Sequence, residues 1–225
     1  PMPRLMVTEY NAFFTNAHLA SAGGHERPLD QNRYISTQAG ALFVADLIRV
    51  MAQAPAVQAA MLWSLSGNGE FGAIDSEPGH SPARVRPAFH VMRMARSALA
   101  NGGYHVAHRT TSPRRRAPDS RIGLAEPYPD MPLLATMATR QGRRLNLMLL
   151  NKDPARPARI TVDLTDCRAS DARIEQLGAN GVFAPWTSRN GPRMTTPHVD
   201  LRYDGRRADL RIDPAGIALL TFTLK

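Results

Sequence analysis

The spacing of apolar residues changes character partway along this chain of 225 residues. In about the first hundred residues, short and continuously apolar segments alternate with segments whose apolar residues recur every three or four positions. That alternation predicts buried strands joined by helices, as in a parallel α/β sheet. From residue 133 onward, apolar and polar residues alternate one by one, which predicts antiparallel strands. The chain is therefore predicted to combine an α/β part with an all-β part.

The α/β part contains two predicted strand–helix units. The strands are Leu5–Val7 and Val57–Leu65, and the helices are Tyr34–Ala54 and a segment that Pro87 opens and Asn101 ends. The predicted buried stripes are Ala39, Phe43, Leu47, Val50 and Ala54 on the first helix, and Ala88, Met92, Ala95 and Leu99 on the second. Two such units can neither close a barrel nor bury both faces of a sheet. We therefore expect further units to be missing.

The all-β part reads as an antiparallel β-sandwich. Seven strands are predicted at short, regular spacing: Leu133–Thr139, Leu145–Asn151, Arg159–Leu164, Arg173–Leu177, Val199–Tyr203, Ala208–Ile212 and Ile217–Leu224. Between the two parts lies a stretch rich in Arg, Pro and Ser. The predicted organisation is thus an α/β part over residues 1–108, a linker over 109–132 and a sandwich over 133–225.

The charge of the chain is strongly positive, at +9. Only Lys152 and Lys225 are lysines, so 26 of the 28 basic residues are Arg, a skew that suggests a GC-rich genome rather than a ligand. Few aromatic residues interleave with the arginines, so a nucleic-acid binder ranks last among the functions considered. Charged residues or Pro interrupt every apolar run before the roughly 20 residues that span a bilayer, so we expect no membrane partner.

Metal and cofactor chemistry has weak support. Cys167 is the single cysteine, and the loop that carries His18, His25 and Glu26 matches no established ligand spacing. A Gly-x-Gly-x-x-Gly pattern spans residues 67–72, but no helix follows it directly, which argues against dinucleotide binding. We therefore predict neither a metal nor a cofactor.

Glu9 is the strongest candidate for chemistry. It follows the apolar run Leu5–Val7, and in parallel α/β barrels the carboxyl ends of the strands open into the active site. Trp63 stands at the same end of the second strand, where it could offer a flat apolar face to a sugar ring. On position alone, Glu9 could equally be a cap or a surface ion pair, and Trp63 a core aromatic.

The segment Thr8-Glu9-Tyr10-Asn11, preceded by Leu5–Val7, resembles the nucleophile strand of retaining clan A glycoside hydrolases. In layout the resemblance covers the whole chain: a loop, a long helix, a strand ending in Trp63-Ser64-Leu65, a Gly-Asn-Gly-Glu-Phe-Gly loop, a last helix and a sandwich. It implies a partial (β/α)8 barrel, consisting of the last two strand–helix units, followed by the sandwich. It also implies that Glu9 is the nucleophile and that substrate is bound by Tyr10, Asn11, Trp63, Asn68 and Glu70.

The resemblance further implies a proton donor on an earlier strand, and the sequence supplies none. Its other acidic candidates in this part, Glu26, Glu70, Asp75 and Glu77, all fall in predicted loops. We therefore expect the acid/base residue on an N-terminal remainder of the barrel, as a separate or cleaved chain. The chain begins at Pro1 and enters a strand almost at once, so it looks cut. No secretion signal is visible, although the resemblance favours a periplasmic or secreted location.

Two questions remain open at this point. The expected substrate is an oligo- or polysaccharide, and the resemblance fits either an α-L-arabinofuranosidase or β-xylosidase type or a heparanase-like β-glucuronidase type. The alternative function is a non-catalytic carbohydrate-binding or structural β-sandwich module, in which Glu9 would be incidental.

Overall fold

A computed structural model describes most of the chain. The described residues are 4–11, 35–67, 72–75, 84–99, 103–115, 130–179, 181–182, 193–195 and 201–225. Within them lie two helices, α1 (Gln38–Gln53) and α2 (Pro87–Ala98). The strands before the second helix are β1 (Leu5–Tyr10), β2 (Val57–Leu62), β3 (Ser66–Gly67), β4 (Ile74–Asp75) and β5 (Arg84–Val85).

The remaining strands follow α2. They are β6 (Tyr104–His105), β7 (Arg114–Arg115), β8 (Met131–Pro132), β9 (Leu134–Gln141), β10 (Arg144–Asn151), β11 (Ala158–Asp163), β12 (Ala169–Gly178), β13 (Arg193–Thr195), β14 (Arg202–Tyr203), β15 (Arg207–Ile212) and β16 (Ile217–Leu224). A large sheet has the order β13-β12-β16-β10-β9-β6, and a small sheet the order β11-β15-β14. The pairings within both sheets are antiparallel, as the period of two predicts.

The large sheet is the central layer, because both of its faces are covered. On β16, Ile217 and Leu219 pack towards the two helices, whereas Leu220 and Phe222 pack towards the small sheet. Covering on both sides explains why β16 reads as a nearly continuous apolar run. The sandwich is therefore present, and the helices share a core with it. The sheet also takes in Tyr104 and His105, which precede residue 108.

Local sequence signals fix the ends of the helices. Thr37 caps α1, its hydroxyl accepting a hydrogen bond from the amide of Gly40 at 3.1 Å. Pro87 occupies the first turn of α2, where a missing N–H costs nothing. The fully buried Gln38 donates to the carbonyls of Leu177 and Ala215 at 3.2 and 2.8 Å, which fastens the start of α1 to the sandwich.

The predicted buried stripes of the helices were partly wrong. On α1 the buried residues are Gln38, Gly40, Ala41, Val44, Ala45 and Ile48, whereas Phe43 and Val50 are 43% and 48% exposed. On α2, Ala88 and Ala95 are buried as predicted, but Met92 and Leu99 are each 37% exposed. The physical reason is that α1 carries two apolar stripes, and the sheet covers the one with smaller side chains. The second stripe remains at the surface.

Candidate active site at the ends of the paired strands

Two parallel strands, β1 and β2, lie against the helices on the side away from the large sheet. Tyr10 and Leu62 pack against the helix core, and residues of both strands and both helices line a cavity of about 320 Å³. Val7 pairs with Ala60 and Tyr10 with Leu62, so two residues of β1 lie opposite Met61 alone. This is a β-bulge, a feature that is rare in parallel pairs and common beside active sites, where it redirects a side chain.

The bulge contains Thr8 and Glu9, and both are exposed. Met61, which lies opposite them, is 45% exposed, whereas Tyr10 and Leu62 are covered by the helices. Glu9 and Met61 therefore share the surface that the helices leave open. Within the described part of the chain, the Glu9 carboxylate makes no hydrogen bond or ion pair.

The carboxyl ends of the two strands are tied together next to Glu9. The amide of Trp63 donates to the carbonyl of Tyr10 at 3.1 Å, and Nδ2 of Asn11 donates to the carbonyl of Trp63 at 2.5 Å. The Trp63 ring itself is 51% exposed. A carboxylate and a large aromatic side chain thus follow neighbouring parallel strands at the same end.

Tyr10 lies on the helix side of β1, away from Glu9. Its hydroxyl donates to Sδ of Met92 at 3.6 Å, and burial raises the pKa of the phenol, so that it remains a protonated donor. Its side chain faces the helices rather than the open surface beside Glu9. The contact that Asn11 makes through its amide is with the backbone directly after β2, which is a structural contact.

Asn68 and Glu70 lie outside the described residues, but the segments on either side of them are anchored. The amides of Ala73 and Ile74 donate to the carbonyls of Ser64 and Leu65 at 2.8 and 2.9 Å. These two bonds hold Ala73 and Ile74 against the residues that directly follow Trp63.

Arg86 holds the segment of residues 72–75, and its role was not predicted from the sequence. Its side chain is buried, donates to the carbonyl of Gly72 at 2.9 Å and lies 3.7 Å from a carboxylate oxygen of Asp75. One local signal was available: Arg86 occupies the N-cap position of α2, for which Arg is a poor capping residue.

No group of three or more His, Cys, Asp or Glu side chains that could hold a metal occurs among the residues described here. His18, His25 and Glu26 lie outside them. In the described part of the chain, neither helix has the length and hydropathy needed to cross a membrane. The described site offers one exposed carboxylate, Glu9, and one exposed aromatic ring, Trp63, at the same end of the two strands.

Comparison with known proteins gives matches only at the level of structure. No protein-family model and no curated protein sequence matches the chain. Among solved structures, a family 51 arabinofuranosidase from Xanthomonas axonopodis pv. citri is similar with a TM-score of 0.73 and 14% identity, over 97% of this chain and 41% of that one. A family 51 α-L-arabinofuranosidase from Bifidobacterium longum is similar with a TM-score of 0.71 and 20% identity, over 98% and 42%.

A family 30 xylanase from Clostridium acetobutylicum is also similar, with a TM-score of 0.61 and 11% identity over 99% of this chain and 46% of that one. These proteins are clan A glycoside hydrolases. The resemblance to clan A is confirmed. The chain spans less than half the length of each of the three structures.

A substitution at Asn11 tests the tie between the strand ends. Asp has the same shape as Asn but cannot donate from its ionised carboxylate, so Asn11→Asp places an acceptor against the Trp63 carbonyl. We expect it to lower the free energy of unfolding by about 1 kcal/mol. Urea denaturation measures the change. Stability equal to that of the unmodified chain would contradict the assigned bond.

Proposed function

We propose that this chain is the C-terminal portion of a retaining glycoside hydrolase and that it supplies the nucleophile, Glu9. In this proposal β1 with α1 and β2 with α2 are the last two units of a (β/α)8 barrel. The observation that carries the proposal is that Glu9 and Trp63, both exposed, lie at the carboxyl ends of two paired parallel strands. That end of a parallel barrel is where its active site forms.

The reaction requires two carboxyl groups about 5 to 5.5 Å apart. Glu9 attacks the anomeric carbon while an acid protonates the departing glycosidic oxygen, which leaves a glycosyl ester on Glu9. The second residue, now a base, takes a proton from water, and the resulting hydroxide releases the sugar with its original configuration. The second carboxyl group belongs to the N-terminal part in this proposal.

Substrate contacts are assigned as follows. The exposed ring of Trp63 stacks on a sugar face. Asn68 and Glu70, in the loop that starts beside Trp63, donate to or accept from sugar hydroxyls. Asn11 holds the Trp63 backbone, and its contact with substrate is secondary. Tyr10 supports the site indirectly, because its side chain packs β1 onto the helices.

Exposed apolar surface supports an N-terminal partner. On β1, Leu5 and Met6 are 53% and 66% exposed, and on α1 the second stripe presents Phe43 and Val50. Two strands alone are marginally stable, and both outer edges of the β1–β2 pair have free backbone groups within the described residues. Additional strand–helix units would pair with these edges and cover the second stripe of α1.

The preferred substrates follow from the similar structures, which are named as arabinofuranosidases and a xylanase. They support a glycan that contains pentoses. The first compounds to test are therefore 4-nitrophenyl α-L-arabinofuranoside and xylan.

Complementation tests this proposal. We expect the chain alone to leave 4-nitrophenyl α-L-arabinofuranoside and xylan intact, because it has one carboxylate of the pair. Produced together with the polypeptide encoded directly upstream, it should form a complex that hydrolyses at least one of them. Release of 4-nitrophenol and of reducing sugar measures the activity. Equal hydrolysis by the chain alone, or an inactive complex, would contradict the proposal.

A further inference from the structure

The outer face of the small sheet is rich in arginine. Strands β11, β15 and β14 direct Ile160, Leu210 and Tyr203 into the core that they share with the large sheet. The residues between them face outwards: Arg159, Thr161, Asp163, Arg202, Arg207, Asp209 and Arg211. Four of these seven are Arg, and only two are acidic.

The two kinds of arginine on this face differ in their contacts. Arg207 lies 3.3 Å from Oδ1 of Asp209, and the hydroxyl of Thr161 donates to the same oxygen at 2.5 Å. By contrast, Arg159, Arg202 and Arg211 are exposed and make no hydrogen bond or ion pair with the described residues. Three guanidinium groups therefore remain available on one surface.

The register brings two of these groups together. Arg159 pairs directly with Arg211 across β11 and β15. Like charges directly opposite each other destabilise a sheet, and an anion bound between them would relieve the repulsion. Arg202 lies opposite Asp209 on the next strand, so it flanks the same place. A groove of about 770 Å³ contains all three arginines together with Thr161 and Asp209.

We propose that this groove binds a polysaccharide that carries carboxylate groups. Guanidinium groups hold carboxylates through paired hydrogen bonds, and an opposed pair of them suits a uronate residue. Asp209, whose pKa the hydrogen bond from Thr161 holds below its usual range, accepts hydrogen bonds from sugar hydroxyls through its second oxygen. Among the described residues, no aromatic side chain lines the groove for base stacking, which favours a polyuronate over a single-stranded nucleic acid.

The inference is independent of the proposed hydrolase function. It concerns the sandwich rather than Glu9, and it needs no N-terminal partner. The inference also depends on the positions of the arginines on the small sheet and not on the number of arginines in the chain. An overall excess of Arg accounts for the net charge, but it does not place two arginines that lack an ion pair with the described residues opposite each other in a groove.

Binding to polygalacturonate tests the proposal, with neutral arabinan and a single-stranded DNA 20-mer as comparison probes. The variant is Arg159→Gln with Arg211→Gln, and the control is Arg109→Gln with Arg144→Gln. The control removes two exposed arginines that lie outside the groove and make no ion pair with the described residues. Affinity electrophoresis at low and high salt measures binding, and circular dichroism checks folding.

We expect binding to polygalacturonate, no binding to arabinan, and about tenfold weaker binding by the groove variant, since each lost contact is a hydrogen bond between charged groups. The control should stay within about twofold, and salt should weaken binding. If the groove variant fails to fold, Arg202→Gln replaces it, with an expected weakening of about threefold. No binding at low salt, equal losses in variant and control, or tighter binding of the DNA through the same arginines would each overturn the proposal.

Discussion

Replacing Glu9 by Gln in the assembled enzyme is expected to lower kcat by about a thousandfold or more, because an amide cannot form the glycosyl ester. The substitution keeps the size of the side chain, and Glu9 is exposed without a bond to the described residues, so folding should be unchanged. KM should change much less than kcat. Steady-state hydrolysis of 4-nitrophenyl α-L-arabinofuranoside measures both constants.

Two further variants sharpen this prediction. Asp166→Asn removes an exposed carboxylate in the turn between β11 and β12 and should keep full activity. Glu9→Gly leaves space beside the anomeric carbon, so added azide should restore turnover and give a glycosyl azide of inverted configuration. A non-catalytic module predicts instead no hydrolysis in either form and an affinity for glycans that Glu9→Gln leaves unchanged. Unchanged turnover in a folded complex would refute the role of Glu9.

The largest effect on stability is expected at Phe222. This side chain is fully buried between the large and small sheets and contacts the Tyr203 ring, with the ring centroids 5.7 Å apart. Phe222→Ala removes most of that side chain and leaves a cavity in a two-sided core. We expect the free energy of unfolding to fall by about 3–5 kcal/mol, and by less than about 1.5 kcal/mol for Phe222→Leu. Urea denaturation of the chain measures both.

Phe43 offers a matched comparison, because it is the same residue type on the open stripe of α1. In the chain alone, Phe43→Ala should change the free energy of unfolding by no more than about 0.5 kcal/mol. In the complex it should weaken the association with the N-terminal part, since the proposal buries this stripe. A large loss of stability in the chain alone would show that Phe43 is covered within the chain itself.

The strands of the sandwich were predictable because their pattern is local. The run Ile160–Leu164 alternates in the sequence, and the structure pairs Ile160 with Leu210 over the core. Gly142, in the turn between β9 and β10, has a φ of +55°, a conformation that glycine adopts readily. In each case neighbouring residues determine the outcome, so one sequence contains enough information.

The buried faces of the helices were harder to predict. A helix with two apolar stripes does not reveal from its sequence alone which stripe its neighbours will cover. Val44 and Ile48 are buried here, whereas Phe43 and Val50 are exposed. The same limit applies to the site. The bond from Asn11 to the Trp63 carbonyl joins residues 52 positions apart, and it exists only once β1 and β2 have paired.

The most direct measurement is covalent labelling of the assembled enzyme with a fluorinated glycoside that forms the ester but releases it slowly. After proteolysis, mass spectrometry should find one sugar per chain, attached to the peptide that contains Glu9, and Glu9→Gln should abolish the label. A label on another carboxylate of the assembly would show that the attacking group is elsewhere, and hydrolysis with inversion of configuration would show that no such ester forms.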